Sequence, residues 1–152
     1  MPKTLAEAVD LVRRDLRETR QKLDIELVDH ETQQRLFPKA APDNRVVGFS
    51  SIGYAHSERF DGQNIEYDAS ADPTSVCVLL ADSVQDRLIV WSDDYWPRCP
   101  LHDHPLSANV DAAGTPVWIC PTLRVAASRI GDLAHAALVD GLSEDSQDES
   151  SS

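Results

Sequence analysis

The sequence predicts an α+β protein, and three observations support this fold class. Apolar residues recur at helical spacing near the N-terminus, short strand-like segments separated by Gly and Pro follow, and helical spacing returns further along the chain. With 152 residues, the chain has the length of one domain. We therefore expect a single globular domain over residues 1–142 that combines an N-terminal helix, a small and mostly antiparallel sheet, a central helix, a hairpin and a closing helix.

The N-terminal helix is predicted over residues 4–23. Thr4 followed three residues later by Glu7 is a capping-box pattern, which satisfies free N–H groups at a helix start. Apolar residues then recur on one helix face: Leu5, Val9, Val12, Leu16 and Leu23. Between them stand charges of alternating sign: Arg13, Arg14, Arg17 and Arg20 among Asp10, Asp15 and Glu18. We expect these charges to form a solvated, salt-bridged face rather than a nucleic-acid contact.

The following part of the chain gives weaker signals and contains many turn formers. The segment 24–37 fits two alternatives, a strand with alternating apolar residues or a helix that would end before Pro38. Beyond Pro38, the segments 45–54 and 64–68 are predicted as strands separated by loops.

A buried strand and the central helix are predicted next. Residues 75–81 read SVCVLLA, and an apolar, β-branched run of this kind is typical of a strand buried on both faces, with Cys77 as a small core residue. The central helix is expected over 82–96, ending before Pro97, because apolar residues repeat there at helical spacing: Val84, Leu88, Trp91 and Tyr95. A hairpin that uses 87–92 as a strand is the alternative. The aromatic residues are expected in the core rather than as a binding platform: Trp91, Tyr95 and Trp96.

The C-terminal part is predicted to close the fold and then to become disordered. Residues 125–142 place apolar side chains at helical spacing, which favours a helix that covers the sheet. The last ten residues, 143–152, carry four acidic side chains and no apolar one. Such a segment cannot bury enough surface to offset the entropy of ordering, so we expect a disordered acidic tail.

Charge excludes several classes of partner. Lys and Arg number 14 against 26 Asp and Glu, which gives a net charge of −12. This acidity argues against general nucleic-acid binding and against anionic lipid, both of which require a basic face. The longest uninterrupted apolar run, 76–81, is too short to cross a bilayer, and the first residues do not resemble a signal peptide. We expect a cytoplasmic protein that binds a basic protein partner.

The segment 97–123 carries the residues with metal-binding chemistry. Cys99 and His102 are spaced as i and i+3 in a Cys-Pro-Leu-His turn, which directs both side chains to one point. Seventeen residues separate His102 from Cys120, and they read as a hairpin with its turn at 111–114. Zinc prefers thiolate and imidazole donors in a tetrahedron. The pattern therefore predicts a zinc-ribbon-like hairpin.

The fourth ligand is less clear, because a complete second turn would read Cys-Pro-x-Cys and Leu123 stands in place of that cysteine. The candidates for this position are His104, Asp103 and water. The alternative is a ribbon held by packing alone, without metal. We take Cys99, His102, His104 and Cys120 as the candidate metal ligands, with zinc as the candidate ion.

This stretch also resembles a group of known sequences, the uncharacterised small bacterial proteins that carry a degenerate zinc ribbon near the C-terminus. The resemblance covers about residues 82–135 and implies that the two Cys-Pro corners and the histidine pair form one module, with no established activity. It is carried by Trp96, Pro97, Cys99, Pro100, His102, His104, Pro105 and Leu106, then by Gly114, Trp118, Cys120 and Pro121.

Three function classes are compatible with these features. The first is a non-enzymatic interaction or regulatory protein with structural zinc. The second is an HNH-like metal-dependent nuclease with His104 as general base, but Asn109 follows it too closely and the charge repels DNA. The third is an acidic inhibitor or DNA mimic that binds a basic cleft, although the acidic residues are scattered along the sequence. The sequence favours the first class.

Overall fold

The computed structural model describes residues 1–51, 64–92 and 95–136. Within them, helices and antiparallel sheets are both present, as the α+β class predicts. The helices are α1 (Leu5–Glu18), α2 (His30–Leu36) and α3 (Pro73–Ser92), and a short 3₁₀ turn spans Leu133–His135. The strands are β1 (Leu23–Leu27), β2 (Asn44–Ser51), β3 (Asn64–Asp68), β4 (Ser107–Val110), β5 (Pro116–Cys120) and β6 (Val125–Arg129). They form two three-stranded sheets, in the orders β1-β2-β3 and β4-β5-β6.

Helix α1 begins as predicted and ends earlier. The Thr4 hydroxyl oxygen accepts a hydrogen bond from the Glu7 N–H at 3.1 Å, which caps the first turn. The helix ends at Glu18, and Arg20 then adopts a φ of 59°, so the chain turns before β1. One prediction for this helix is wrong. Asp15 is fully buried and does not lie on the solvated face.

The first sheet contains both structures that the sequence left open for residues 24–37. Strand β1 is followed by α2, whose first turn is capped by Asp29 through the Thr32 N–H at 2.7 Å. Strands β2 and β3 correspond to the predicted strands, and the pairs Ile25↔Phe49 and Val47↔Ile65 set the register. Residues 52–54, the predicted end of β2, lie outside the described residues.

The run 75–81 is helical, so the predicted buried strand is wrong. It forms the first half of α3, which continues through the predicted central helix to Ser92. The buried residues of α3 recur at helical spacing: Val76, Cys77, Leu80, Ala81, Val84 and Leu88. This face of α3 packs in the core, but the helix also carries exposed apolar residues such as Leu79 and Val90, which mask the helical period in the sequence. Cys77 is a core residue, as expected, and burial raises the pKa of its thiol to about 12.

The second sheet contains the predicted hairpin and an unpredicted strand. The turn between β4 and β5 is closed by Asp111, whose carboxylate accepts the N–H groups of Ala113 and Thr115, each at 2.9 Å. Strand β6 pairs with the free edge of β5, and only the short 3₁₀ turn follows it, so the closing helix predicted over 125–142 is wrong for its described part, residues 125–136. Residues 137–142 and the acidic tail lie outside the described residues.

One apolar core joins both sheets and the two long helices. It includes side chains from α1, α3, β1 and β2, together with Trp96, Leu106, Trp118 and both Cys99 and Cys120. Of the aromatic residues near the end of α3, Trp96 is buried, whereas Tyr95 is 43% exposed, and the side chain of Trp91 is not described. Within the described residues, no helix is both long and apolar enough to cross a membrane.

Candidate metal centre

Two short backbone loops present the candidate ligands. In the first, the Cys99 N–H donates to the His104 carbonyl at 3.0 Å, and the Leu106 N–H donates to the Pro97 carbonyl at 2.8 Å. In the second, the Arg124 N–H donates to the Cys120 carbonyl at 2.7 Å, directly after β5. Backbone hydrogen bonds therefore fix the position of each cysteine relative to its own loop.

The four residues singled out in the sequence lie together. Cys99 Sγ is 3.3 Å from His102 Nδ1, and Cys120 Sγ is 3.4 Å from the same nitrogen. His104 Nε2 is 3.9 Å from Cys120 Sγ. One donor atom from each residue lies within 4.8 Å of the other three. The cluster therefore offers two sulfur and two nitrogen donors to one point.

These separations fit a single tetrahedral ion. Zinc bonds of about 2.3 Å to sulfur and about 2.0–2.1 Å to nitrogen give a sulfur–nitrogen edge of about 3.6 Å in a regular tetrahedron. The sulfur–nitrogen separations of 3.3, 3.4 and 3.9 Å bracket this value. Shifts of a few tenths of an ångström would bring these donor pairs to the ideal edge length.

Hydrogen bonding prepares His104 for ligation through Nε2. Its Nδ1 lies 3.0 Å from the Pro105 carbonyl oxygen, which can only accept, so Nδ1 carries the proton. The lone pair is then on Nε2, the atom that faces Cys120. A backbone carbonyl that fixes the tautomer of a ligating histidine is a common outer partner in metal sites. Thr122 Oγ1 also lies 3.2 Å from Nε2 and can donate to it when no ion is bound.

The second loop supports Cys120 although it lacks a second cysteine. The Leu123 N–H donates to Cys120 Sγ at 3.4 Å. This contact orients the sulfur atom that would bind the ion. Leu123 itself is partly buried against the core. The residue that appears in the sequence to weaken the site therefore contributes through its backbone.

Burial differs between the two kinds of ligand. Cys99 and Cys120 are 5% and 0% exposed, whereas His102 and His104 are partly exposed and their rings stack with centroids 4.9 Å apart. The sulfurs thus face the core and the imidazoles face the surface. An ion could enter from the histidine side without opening the core.

Two tryptophans connect this region to α1. Trp118 Nε1–H donates to Asp15 Oδ2 at 2.8 Å, and Trp96 Nε1–H donates to Thr19 Oγ1 at 3.0 Å. Asp15 also accepts the N–H groups of Gly131 and Leu133, at 2.7 and 2.9 Å. Burial raises the pKa of the Asp15 carboxyl, although these hydrogen bonds oppose the shift.

Asp15 was missed by sequence reasoning, although its spacing contained a signal. It follows the buried Ala8 by seven residues and therefore lies at the edge of the apolar face of α1. The structure explains the glycine at one of its donors, because Gly131 has a φ of 104°, which favours glycine. A side chain at Gly131 would also collide with Leu11.

The other candidates from the sequence lie elsewhere. Asp103, an alternative fourth ligand, forms an ion pair with Arg98 at 2.8 Å, and its side chain is 89% exposed. Asn109, the second residue of the nuclease hypothesis, lies on β4, where its side chain accepts the Val110 N–H at 2.8 Å. His30 and His135 are exposed, and His56 lies outside the described residues.

The comparisons with known proteins add no assignment to this geometry. The chain matches no protein-family model, no curated protein and no solved structure.

Proposed function

We propose that the chain is a small non-enzymatic binding protein whose second sheet is held together by one structural zinc ion. The observation that carries this proposal is the convergence of two thiols and two imidazoles within 4.8 Å. Sulfur and imidazole donors in a tetrahedral arrangement are the set that zinc prefers. The ligands would be Cys99, His102, His104 and Cys120.

The number of ligands supports a structural role rather than a catalytic one. Catalytic zinc sites keep one coordination position for water or substrate, whereas structural sites are closed by four protein ligands. Here four side chains point to one position, and both sulfurs are buried. An ion bound by all four would have no free position for a substrate.

Charge supports a basic protein as the partner. Residues 64–92 carry five acidic side chains and one basic side chain, whereas the described segments 1–51 and 95–136 each carry equal numbers of both signs. The five acidic residues are exposed: Glu66, Asp68, Asp72, Asp82 and Asp86. Although acidic residues are scattered along the sequence, the excess within the described part belongs to β3, α3 and the turn between them. An excess of one sign of charge steers a partner of the opposite sign.

Zinc content per chain tests the metal part of the proposal. Protein purified without a histidine tag or chelator should contain about one zinc per chain by elemental analysis. The variants Cys99→Ser and Cys120→Ser should contain almost none. Cys77→Ala and His135→Gln are matched controls, since they remove a thiol and an imidazole elsewhere, and both should keep the metal. Wild-type protein that contains no zinc, and takes up none when it is added, would refute a zinc centre.

Salt-dependent binding tests the partner. Basic proteins captured from a cell extract at low salt should be lost when Asp82 and Asp86 are both changed to Asn. As a control, Asp111 and Asp132 are both changed to Asn. This removes an equal charge from the β4–β5 turn and from the segment after β6, and it should leave the capture of basic proteins unchanged. Equal loss in both double variants would indicate that net charge, rather than this surface, attracts the partner.

A further inference from the structure

Two indole groups lie beside the candidate metal centre and reach the same helix. Trp96 precedes Cys99 by three residues, and Trp118 precedes Cys120 by two residues on β5. Their rings meet edge to face with centroids 5.5 Å apart. The two chain segments that carry the cysteines are therefore in contact with each other through these rings.

Each indole donates its only N–H group to α1 or to its C-cap. The acceptors, Asp15 and Thr19, are four residues apart and thus lie on one side of the helix. The Thr19 hydroxyl also donates to the Asp15 carbonyl at 2.6 Å, so the two acceptors are connected. A movement of either cysteine-bearing segment would change a hydrogen bond to α1.

The Asp15 contact makes α1 sensitive to such movement. The Asp15 side chain is fully buried and accepts hydrogen bonds from three N–H donors, all from the part of the chain that follows β4. An apolar contact weakens gradually when its partner shifts, whereas a buried carboxylate that loses its donors pays a desolvation penalty. The packing of α1 therefore depends on the position of β5 and of residues 131–133.

We infer that the metal centre and the packing of α1 are energetically coupled through the two indole N–H groups, so that Asp15 is a positioning residue of the metal centre. This inference rests on the proposed zinc site. Coupling between two sites is reciprocal: if the metal stabilises the packing of α1, then a correctly packed α1 strengthens metal binding by the same factor. Asp15 thus influences the affinity for an ion that it does not touch.

The first experiment measures zinc affinity by competition with a chromophoric chelator. Asp15→Asn keeps the side-chain shape but replaces one acceptor oxygen with a donor, and Thr19→Val removes the acceptor of Trp96. We expect zinc affinity to fall about tenfold or more in Asp15→Asn, and by a smaller factor in Thr19→Val. Asp24→Asn is the matched control, because Asp24 binds α1 through Arg13 and Arg17 from the first sheet. Its zinc affinity should stay within about twofold of wild type.

The second experiment needs no substitution and covers the case in which Asp15→Asn does not fold. Amide hydrogen exchange of the wild-type protein is compared with zinc bound and after removal by chelator. Faster exchange is expected in the second half of α1, around Asp15, while the β2–β3 amides of the first sheet keep their protection. Unchanged exchange in α1 would overturn the inference.

The possible failures are distinguishable. Wild-type zinc affinity in Asp15→Asn would overturn the coupling and leave the zinc centre intact. An equal loss in Asp15→Asn and Asp24→Asn would also overturn it, because general destabilisation would then explain both. Absence of zinc binding in the wild type would refute the proposed centre and the coupling together.

Discussion

The sheets β1-β2-β3 and β4-β5-β6 have equal numbers of strands and the same antiparallel pairing, but they are attached to the rest of the protein differently. The first sheet contributes large apolar residues to the core from all three strands, including Ile25, Phe49 and Tyr67. The outer strands of the second sheet, SANV and VAASR, contribute one buried side chain between them, that of Ala127. In the second sheet, apolar burial is therefore concentrated in the middle strand β5, which buries Val117, Trp118 and Cys120.

Polar contacts and the cysteine–histidine cluster supplement the burial of β5. Asp15 accepts one hydrogen bond from Trp118 on β5 and two from Gly131 and Leu133, just after β6, and the cluster joins the end of β5 to the loop before β4. The contact between α1 and the first sheet instead combines apolar packing with a partly exposed ion pair between Arg13 and Asp24. A sheet whose outer strands bury little apolar surface can thus be held by a few specific groups, each of which is costly to lose.

The largest effect is expected from loss of a ligand. Structural zinc contributes about 10–16 kcal/mol of apparent free energy in zinc-finger peptides, which is comparable to the roughly 5–15 kcal/mol stability of a whole domain. Cys120→Ser should therefore unfold the second sheet, with loss of amide protection in β4 and β5 and persistence in β1 and β2. Hydrogen exchange measures both sheets in one sample. Simultaneous unfolding of both sheets would contradict the view that different interactions hold the two sheets in place.

A smaller difference is expected between the two aspartates that position α1. Asp15→Asn should lower the free energy of unfolding by about 2–4 kcal/mol, because buried N–H donors lose their acceptor. Asp24→Asn should cost no more than about 1 kcal/mol, because its partners Arg13 and Arg17 are partly exposed. Urea denaturation of both variants in zinc-containing buffer measures the two losses of unfolding free energy. Equal losses in the two variants would contradict the expected difference between the aspartates.

The same two aspartates should show opposite pH dependence. Burial raises the pKa of Asp15 from its ordinary value of 3.8, so its contribution to stability is present at low pH and lost as the pH rises through the folded pKa. Burial also acts on Asp24, but hydrogen bonds from two arginines outweigh it and lower the pKa, so its contribution is lost as the pH falls.

The directions of the two pKa shifts can be tested by comparing the free energy of unfolding of each variant with that of the wild type at several pH values. Between about pH 3 and pH 7, acidification should increase the stability lost through Asp15→Asn and decrease the stability lost through Asp24→Asn. Because release of metal at low pH affects all three proteins, the differences isolate the two carboxyl groups. Parallel pH profiles for the two variants would contradict the assigned directions.

The smallest effect is expected at the surface of the first ligand loop. Arg98 and Asp103 form an ion pair, but their side chains are 54% and 89% exposed. Arg98→Ala should therefore change the free energy of unfolding by no more than about 0.5 kcal/mol and leave the zinc content unchanged. Thermal unfolding and elemental analysis measure the two quantities. A marked loss of metal would mean that the ion pair, rather than the backbone hydrogen bonds, holds this loop.

The candidate site could be predicted from sequence because its determinants are local. The spacing of Cys99 and His102 within one turn, and a hairpin that returns the chain to Cys120, bring these side chains together with little help from the rest of the fold. His104 could be named only as one of several fourth ligands, because its orientation depends on the Pro105 carbonyl. Sequence spacing does not reveal such a contact.

The sequence predictions were wrong where contacts between residues far apart in the sequence determine the structure. The run 75–81 has the composition of a strand but forms the first half of α3, and its buried residues belong to the helix face that packs in the core. The segment Val125–Arg129 contains three small residues, but it forms a strand because its backbone pairs with the free edge of β5. Asp15 has the appearance of a surface charge until its three donors, more than a hundred residues away, are known.

The types of the four candidate ligands also determine the net charge of the site when an ion is bound. Two cysteines and two histidines face one another in the cluster. A divalent ion held by two thiolates and two neutral imidazoles forms a coordination sphere with no net charge, and two protons leave the thiols when it binds. The loaded and empty proteins would therefore carry the same net charge of −12. A neutral sphere can lie against the buried side chains of Trp118 and Leu106 without the cost of placing a net charge beside a core.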